Sequence, residues 1–360
     1  MRGRLKVFST PSLAHYRREV SDVLHSYPRF QEGSAQSDFD GELAVSRFAD
    51  GEMEAEIGTS VRGCDVFLFA GGSARSVGSV ETNKLETYHA VDALRRAQAQ
   101  RITVFEPYCS PGRSDRLTRR NSVGLWLHFK ILMSLGIDHY ITFQLHSEQS
   151  KTFIDPALCA VDDIPARALL QKYLCDHFIV TRKRLHEEVR NDWLFCSVDA
   201  GGEGLAKRFA ASFGTKMVIS HKQRDYSTTN TVESISILTA EPIEGKTLWI
   251  IDDMIDTAES MCKLVRELAR RSPASINIAI VHAVFSPPAV QRIKELCDEN
   301  LIATILVTDT VPCTQEVLQA LPCVRVVPST HIAAEIVFRL NSELALSSLL
   351  AQFNADDYLK

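Results

Sequence analysis

One run of residues constrains the fold more than any other: T-L-W-I-I-D-D-M-I-D-T-A-E-S-M at 247–261. Its apolar stretch does not alternate with polar residues, and neither does N-I-A-I-V-H-A-V-F at 277–285. A strand with one wet face alternates; a continuous apolar strand is covered on both faces, as in a parallel sheet under crossover helices. Other short runs repeat the pattern, at Asp65–Phe69, Arg101–Phe105, Tyr140–Phe143, Trp193–Ser197, Met217–Ile219 and Ala303–Val307. Helix-like stretches lie between them, at Leu85–Ala99, Val123–Leu135, Gly204–Phe213, Ala258–Arg270 and Pro288–Asp298. Strand and helix in alternation predict an α/β chain with mainly parallel sheets flanked by helices.

The strand candidates fall into two sets, one ending near Phe143 and one beginning near Trp193. At 360 residues the chain has room for two ordinary domains. The expected division is an N-terminal domain over 1–163, a second over 164–345 and a tail over 346–360, with the boundary in the acidic run V-D-D-I-P-A. A hydrophobic fraction of 45% suits two buried cores. The formal net charge of -5 argues against a broad nucleic-acid surface, so an anionic ligand needs a local site. No run approaches the ~18 apolar residues of a membrane span, and the N-terminal residues lack a stretch of signal-peptide length. The nine cysteines form no C-x-x-C pair. The expectation is a cytoplasmic protein with reduced thiols and no structural zinc.

Residues 252–260 carry the chemistry. Two acids at the end of an apolar strand, then a short turn with hydroxyls, then a helix, make strand–loop–helix geometry. Backbone N–H groups of such a loop and the helix N-terminus cradle phosphate. Ligands of open α/β sheets bind at the carboxyl ends of strands, where Asp252 and Asp253 are expected. Adjacent carboxylates suit vicinal sugar hydroxyls or a hydrated magnesium ion.

The whole run resembles the ribose-5-phosphate loop of the type I phosphoribosyltransferase fold. From about Lys6 to about Leu350 the chain resembles the ribose-phosphate diphosphokinase family. The strings that carry this resemblance are R-F-A-D-G-E at 47–52, F-E-P-Y-C-S-P-G-R-S-D-R at 105–116, F-Q-L-H-S-E-Q at 143–149, S-V-D-A-G-G-E-G at 197–204 and H-K-Q-R-D-Y at 221–226. The resemblance implies two tandem type I phosphoribosyltransferase-like domains. It implies ATP contacts from Phe48, Asp50, Glu52, Arg113 and Asp115, the first three across a subunit boundary. It implies a ribose-5-phosphate loop of Asp252, Asp253, Asp256, Thr257, Ala258, Glu259 and Ser260. Asp199, Gly201 and Gly202 would form a diphosphate loop. His146 and Asp199 would hold Mg²⁺. Lys222 and Arg224 would be catalytic, at the start of a lid formed by the polar run D-Y-S-T-T-N-T. The substrates implied are ATP and ribose 5-phosphate, and the assembly a homo-oligomer, dimer-based or hexameric.

The chain departs from the family pattern in places. Gln144 stands where the family has an acid, and Glu259 where it usually has glycine. The expectation is that the Glu259 N–H serves the loop while its carboxylate faces away. Ser60 and Arg62 match a phosphate and ADP regulatory site, but Glu148 and the stretch A-L-S-S-L-L at 345–350 do not, so weak or altered regulation is expected. These departures also define a second reading, a non-catalytic regulatory subunit associated with a synthetase. A nucleobase phosphoribosyltransferase is a third, opposed by the ATP-type residues of the first half.

Overall fold

The structure is a computed structural model. It describes residues 2–359 except 32, 35, 73–77 and 225–232, with the side chains of 222–224 and 233–234 also outside the description. The described residues divide into two compact units, 1–165 with 310–312 and 329–351, and 166–309 with 313–328 and 352–360.

The first unit contains a five-stranded sheet in the order β1-β4-β5-β6-β7, parallel throughout. Its strands are β1 (Arg4–Ser9), β4 (Cys64–Phe69), β5 (Arg101–Glu106), β6 (His139–Phe143) and β7 (Ala160–Ile164). Strands β4 and β6 are buried along their whole length, as uninterrupted apolar runs require. Helices α1 (Ala14–His25), α2 (Val80–Arg96) and α3 (Gly124–Ser134) cross between strands. Ser79 caps α2, its hydroxyl accepting from Thr82 N–H at 3.1 Å. A separate antiparallel hairpin, β2 (Leu43–Arg47) and β3 (Met53–Ile57), packs on α2.

The acidic run expected to mark the boundary is itself β7, the edge strand of this sheet, and the division falls between Pro165 and Ala166. The helix Thr330–Asn341 packs with α1 in the first unit, although the sequence reading ran the second domain through 345. Tyr27 stacks on Phe338 at 4.5 Å and donates to Glu335 at 2.5 Å. Such a return of the chain leaves no local signature.

The second unit contains a seven-stranded sheet in the order β10-β9-β8-β11-β12-β13-β14. The strands are β8 (Trp193–Ser197), β9 (Lys216–Arg224), β10 (Glu233–Leu238), β11 (Thr247–Ile255), β12 (Ser275–Ala283), β13 (Thr304–Thr308) and β14 (Val324–Val327). All are parallel except β10, an antiparallel edge. Its core joins β8, β11, β12 and β13 to the helices Glu259–Ala269 and Ala289–Asp298 through Leu248, Ile250, Leu264, Ile278, Ile293 and Ile305. Both units are therefore α/β layers built on mainly parallel sheets with crossover helices, as expected. No disulfide links the nine cysteines among the described residues. No helix is long and apolar enough to cross a membrane among those residues.

Candidate active site

In the second unit, strand register builds a notch at the carboxyl edge of the sheet. Strand β8 ends at Ser197, paired with Ile251 of β11 on one side and reaching β9 near Val218 on the other. Both neighbours run on. β11 continues through Asp252, Asp253 and Met254 to Ile255, held by β12. β9 continues to Arg224, held by β10, with Lys222 opposite Ile235 and Arg224 opposite Glu233. Both strands are longer than the apolar runs Thr247–Ile251 and Met217–Ile219 suggested, because one neighbour suffices to keep a polar extension in the sheet. The backbones of Lys222 and Arg224 thus stand at the same edge as Asp252 and Asp253, on the other side of β8. Their side chains, and the polar loop after them, lie outside the described residues.

The turn after β8 floors this notch. Asp199 Oδ1 accepts from the N–H of Gly201 at 2.8 Å and of Gly202 at 3.2 Å. These two N–H groups, expected to face a diphosphate, are turned to a carboxylate here, which shapes the entry to the helix Glu203–Phe213. A Cβ on Gly202 would lie 3.4 Å from Asp252 Oδ1 and 3.7 Å from the Ile251 carbonyl, in ordinary contact, so the turn sits close against the end of β11. Ser220 of β9 donates to the carbonyls of Ser197 and Val198 at 2.7 and 2.6 Å, fixing the same turn from the other side.

Asp252 is half-buried, and its amide neighbour Asp253 donates N–H to its Oδ1 at 3.0 Å. Desolvation first, then the charges of Asp253 and Asp199, push the Asp252 carboxyl well above the usual carboxylate range. The sign for stability follows. At pH below the ordinary aspartate range, near 3.9, folded and unfolded chains both carry the neutral acid. Above it the unfolded chain ionises while the folded one resists, so the ligand-free protein loses stability up to the raised pKa. Asp252→Asn is expected to raise the melting temperature of the ligand-free protein at neutral pH by on the order of 2 °C, while weakening sugar binding. An unchanged or lower melting temperature would contradict this charge assignment.

The phosphate loop is short. Asp256 and Thr257 lead to Ala258, a left-handed residue (φ 60°, ψ 8°) that caps the helix Glu259–Ala269. Such backbone conformations in residues other than glycine collect at ligand sites. The helix then begins at Glu259, and Ser260 lies in its first turn. Glu259 does face away: its Oε1 accepts from Lys263 Nζ at 2.8 Å, and Oε2 is 3.9 Å from Arg292 Nη2. Arg292 also donates to the Thr257 carbonyl at 2.9 Å. Sequence reading missed Arg292, which carries no motif and meets the loop across 35 residues.

The first unit holds the remaining expected residues. Phe48, Asp50 and Glu52 form the exposed tip of the β2–β3 hairpin, closed by Gly51 N–H to the Phe48 carbonyl at 2.9 Å and Phe48 N–H to the Glu52 carbonyl at 2.8 Å. Phe48 is 54% exposed, so its ring face is open to a stacking partner. In the loop after β5, Arg113 is exposed, while the Asp115 carboxylate is nearly buried and pairs with Arg116 at 3.5 Å. The first turn of α3 pins the residue between them: Gly124 N–H donates to Ser114 Oγ at 2.9 Å and Leu125 N–H to the Ser114 carbonyl at 3.1 Å. After β6, Gln144 is buried in a left-handed turn (φ 45°) and His146 is exposed. An acid does stand at this turn, contributed by the neighbouring strand: Asp163 of β7 accepts from Leu145 N–H at 3.0 Å. Arg62 is engaged by Gln98 at 2.5 Å.

Among the described residues, no three His, Cys, Asp or Glu side chains are grouped to hold a metal by themselves. A single carboxylate such as Asp199 fits magnesium, which keeps most of its waters and binds through one or two carboxylates plus substrate phosphates.

An acid pair at a tall strand end, a short loop and a helix N-terminus define a phosphoribosyltransferase-type site, here in a chain with two such domains. Comparison with known proteins agrees. The family model for the N-terminal domain of ribose phosphate pyrophosphokinase matches residues 6–136, and that for the phosphoribosyl transferase domain matches residues 178–302. A ribose-phosphate pyrophosphokinase of Prochlorococcus marinus is 32% identical over 351 residues, covering 96% of this chain and 93% of the relative. One of Chromobacterium violaceum is 33% identical over 311 residues, 86% of this chain and 87% of its own. The crystal structure of phosphoribosylpyrophosphate synthetase from Mycobacterium smegmatis superposes with a TM-score of 0.78 at 25% identity, over 94% of this chain and 99% of that one. The chain belongs to the ribose-phosphate pyrophosphokinase family.

Proposed function

We propose that this protein transfers the β,γ-diphosphoryl group of ATP to the 1-hydroxyl of ribose 5-phosphate, giving 5-phosphoribosyl diphosphate and AMP. The observation that carries the reading is the notch over β8. It places an acid pair and phosphate loop on one side, and the backbones of Lys222 and Arg224 on the other, within one unit. Asp252 and Asp253 accept hydrogen bonds from the 2- and 3-hydroxyls of the sugar. The N–H groups of 256–260, with the hydroxyls of Thr257 and Ser260, hold the 5-phosphate. Lys222 and Arg224 neutralise charge on the diphosphoryl group as it leaves AMP. Positioning and charge neutralisation are the main work of such a transfer.

Phe48, Asp50, Glu52 and Arg113 take the nucleotide. A hairpin tip this exposed suits a site completed by a second copy of the chain, so the active form is a homo-oligomer built on dimers, possible as a hexamer, in the cytoplasm. His146 of the first unit and Asp199 of the second are the residues that would serve Mg²⁺, which would supply charge neutralisation at the diphosphate when bound. A regulatory, non-catalytic role draws on Gln144, Glu259 and the altered adenine loop. The pairing of the Glu259 carboxylate with Lys263, and its nearness to Arg292, weigh against the second of these grounds.

Incubation with ribose 5-phosphate, Mg²⁺ and ATP is expected to yield AMP in step with 5-phosphoribosyl diphosphate, and a chelator to stop it. ATP consumption giving ADP, or no AMP at all, would refute the proposal.

A further inference from the structure

Glu259 opens a helix whose N-terminal N–H groups attract any anion within reach. Its own carboxylate is such an anion, covalently tethered beside the groups a sugar phosphate needs. The side chain is instead drawn sideways by two cations. Lys263 lies one turn along the same helix, 2.8 Å from Oε1. Arg292 comes from the helix Ala289–Asp298, with Nη2 3.9 Å from Oε2 and Nη1 donating to the Thr257 carbonyl at 2.9 Å. One guanidinium therefore hydrogen-bonds the loop backbone and sets a positive charge within 3.9 Å of the competing acid. The next cation along the helix, Arg266, is engaged elsewhere, by Glu299. Only about half of the Glu259 side chain is exposed, and Arg292 is one-third exposed, so the pair adds little to folding stability. Its consequence lies in where the negative charge sits.

We propose that Arg292 is a positioning residue for sugar-phosphate binding, which holds the Glu259 carboxylate away from the phosphate loop. Glu259 is then an internal competitor: released, it turns toward the helix N-terminus and repels the incoming phosphate. The inference rests on the sugar-phosphate reading of this loop, and its test does not require turnover.

The experiment is calorimetric binding of ribose 5-phosphate to the full-length protein with Mg²⁺ and a non-hydrolysable ATP analogue, with ribose as the control lacking phosphate. Arg292→Ala is expected to weaken ribose 5-phosphate binding roughly tenfold, the effect of one like charge brought near the phosphate at a partly exposed site. In an E259Q background the same substitution is expected to cost no more than about threefold, the part due to the lost guanidinium charge alone. Lys263→Ala leaves the Thr257 contact in place and is expected to weaken binding by about threefold, again only when Glu259 is present. Equal losses in both backgrounds would show that Arg292 acts through Thr257 or its own charge, and would overturn the proposal. So would an Arg292→Ala protein that binds as tightly as the native one. Where Arg292→Ala melts early, Arg292→Gln serves in the same cycle. A native protein that binds ribose 5-phosphate but forms no AMP would sink the diphosphokinase reading and leave this cycle fully readable. A native protein that does not bind it would overturn both.

Discussion

Replacing Lys222 with alanine is expected to lower turnover at least ~100-fold, with little change in folding stability. The residue sits where β9 has left β8 and is held by β10 alone, with Ile235 as its partner. Loss of the side chain removes no backbone pairing from that ladder. On the proposed mechanism it removes a cation that neutralises the diphosphoryl group during transfer. A preorganised donor at such a point is worth about 2.7–4 kcal/mol in comparable cases. The expected signature is a fall in kcat larger than any rise in KM, because the charge on the diphosphoryl group is greatest during transfer. Steady-state AMP formation measures it, beside a thermal melt of the same preparation. Near-normal turnover in a folded Lys222→Ala protein would end the mechanism proposed here.

His128→Ala is expected to destabilise the protein by about 1–3 kcal/mol, through the loss of one partner in a buried hydrogen-bonded network. His128 and Glu106 are both fully buried, with Nε2 3.2 Å from Glu106 Oε1. Tyr140 donates to Glu106 Oε2 at 2.7 Å, and the Tyr88 hydroxyl lies 2.9 Å from His128 Nδ1. Burial pushes the Tyr140 hydroxyl up, so it remains a donor across the physiological range. Backbone crowds the other side: a Cβ at Gly71, which is left-handed (φ 86°), would sit 3.2 Å from Glu106 Cδ. Denaturant unfolding of His128→Ala checks the magnitude, and a paired Glu106→Leu/His128→Leu protein is expected to recover most of the loss. Glu106 also ends β5 just before the loop that carries Arg113, and α3 holds both His128 and Ser114. A weaker apparent affinity for ATP in His128→Ala is expected to accompany the fall in stability. A melt unchanged within error would mean the network is not the support it resembles.

Much of the layout was open to inspection in the residues themselves. Trp193–Ser197 is a strand over the stated range, and the helices after Val123 and Gly204 begin within a residue of where periodicity put them. The reason is that a buried parallel strand must be apolar on both faces, so its signal is local and dense. Elements with weaker demands were not seen: the exposed hairpin β2–β3, the edge strands β10 and β14, and the acidic β7. An edge strand needs only one hydrogen-bonded neighbour and one dry face, so its composition overlaps with that of a loop.

The phosphate loop shows the same division. Its acids, its hydroxyls and its place before a helix are determined by consecutive residues, and the sequence by itself determined them, along with the two-domain α/β class. Tertiary structure decided the rest. It decided that β9 and β11 outrun the strand between them, which makes a notch rather than a flat edge. It decided that Arg292 reaches back to the Thr257 carbonyl and comes within 3.9 Å of the Glu259 carboxylate. These are meetings of residues far apart in the chain. They depend on the order of strands in the sheet, and a hydrophobic period, which reports only how each element is buried, does not record that order.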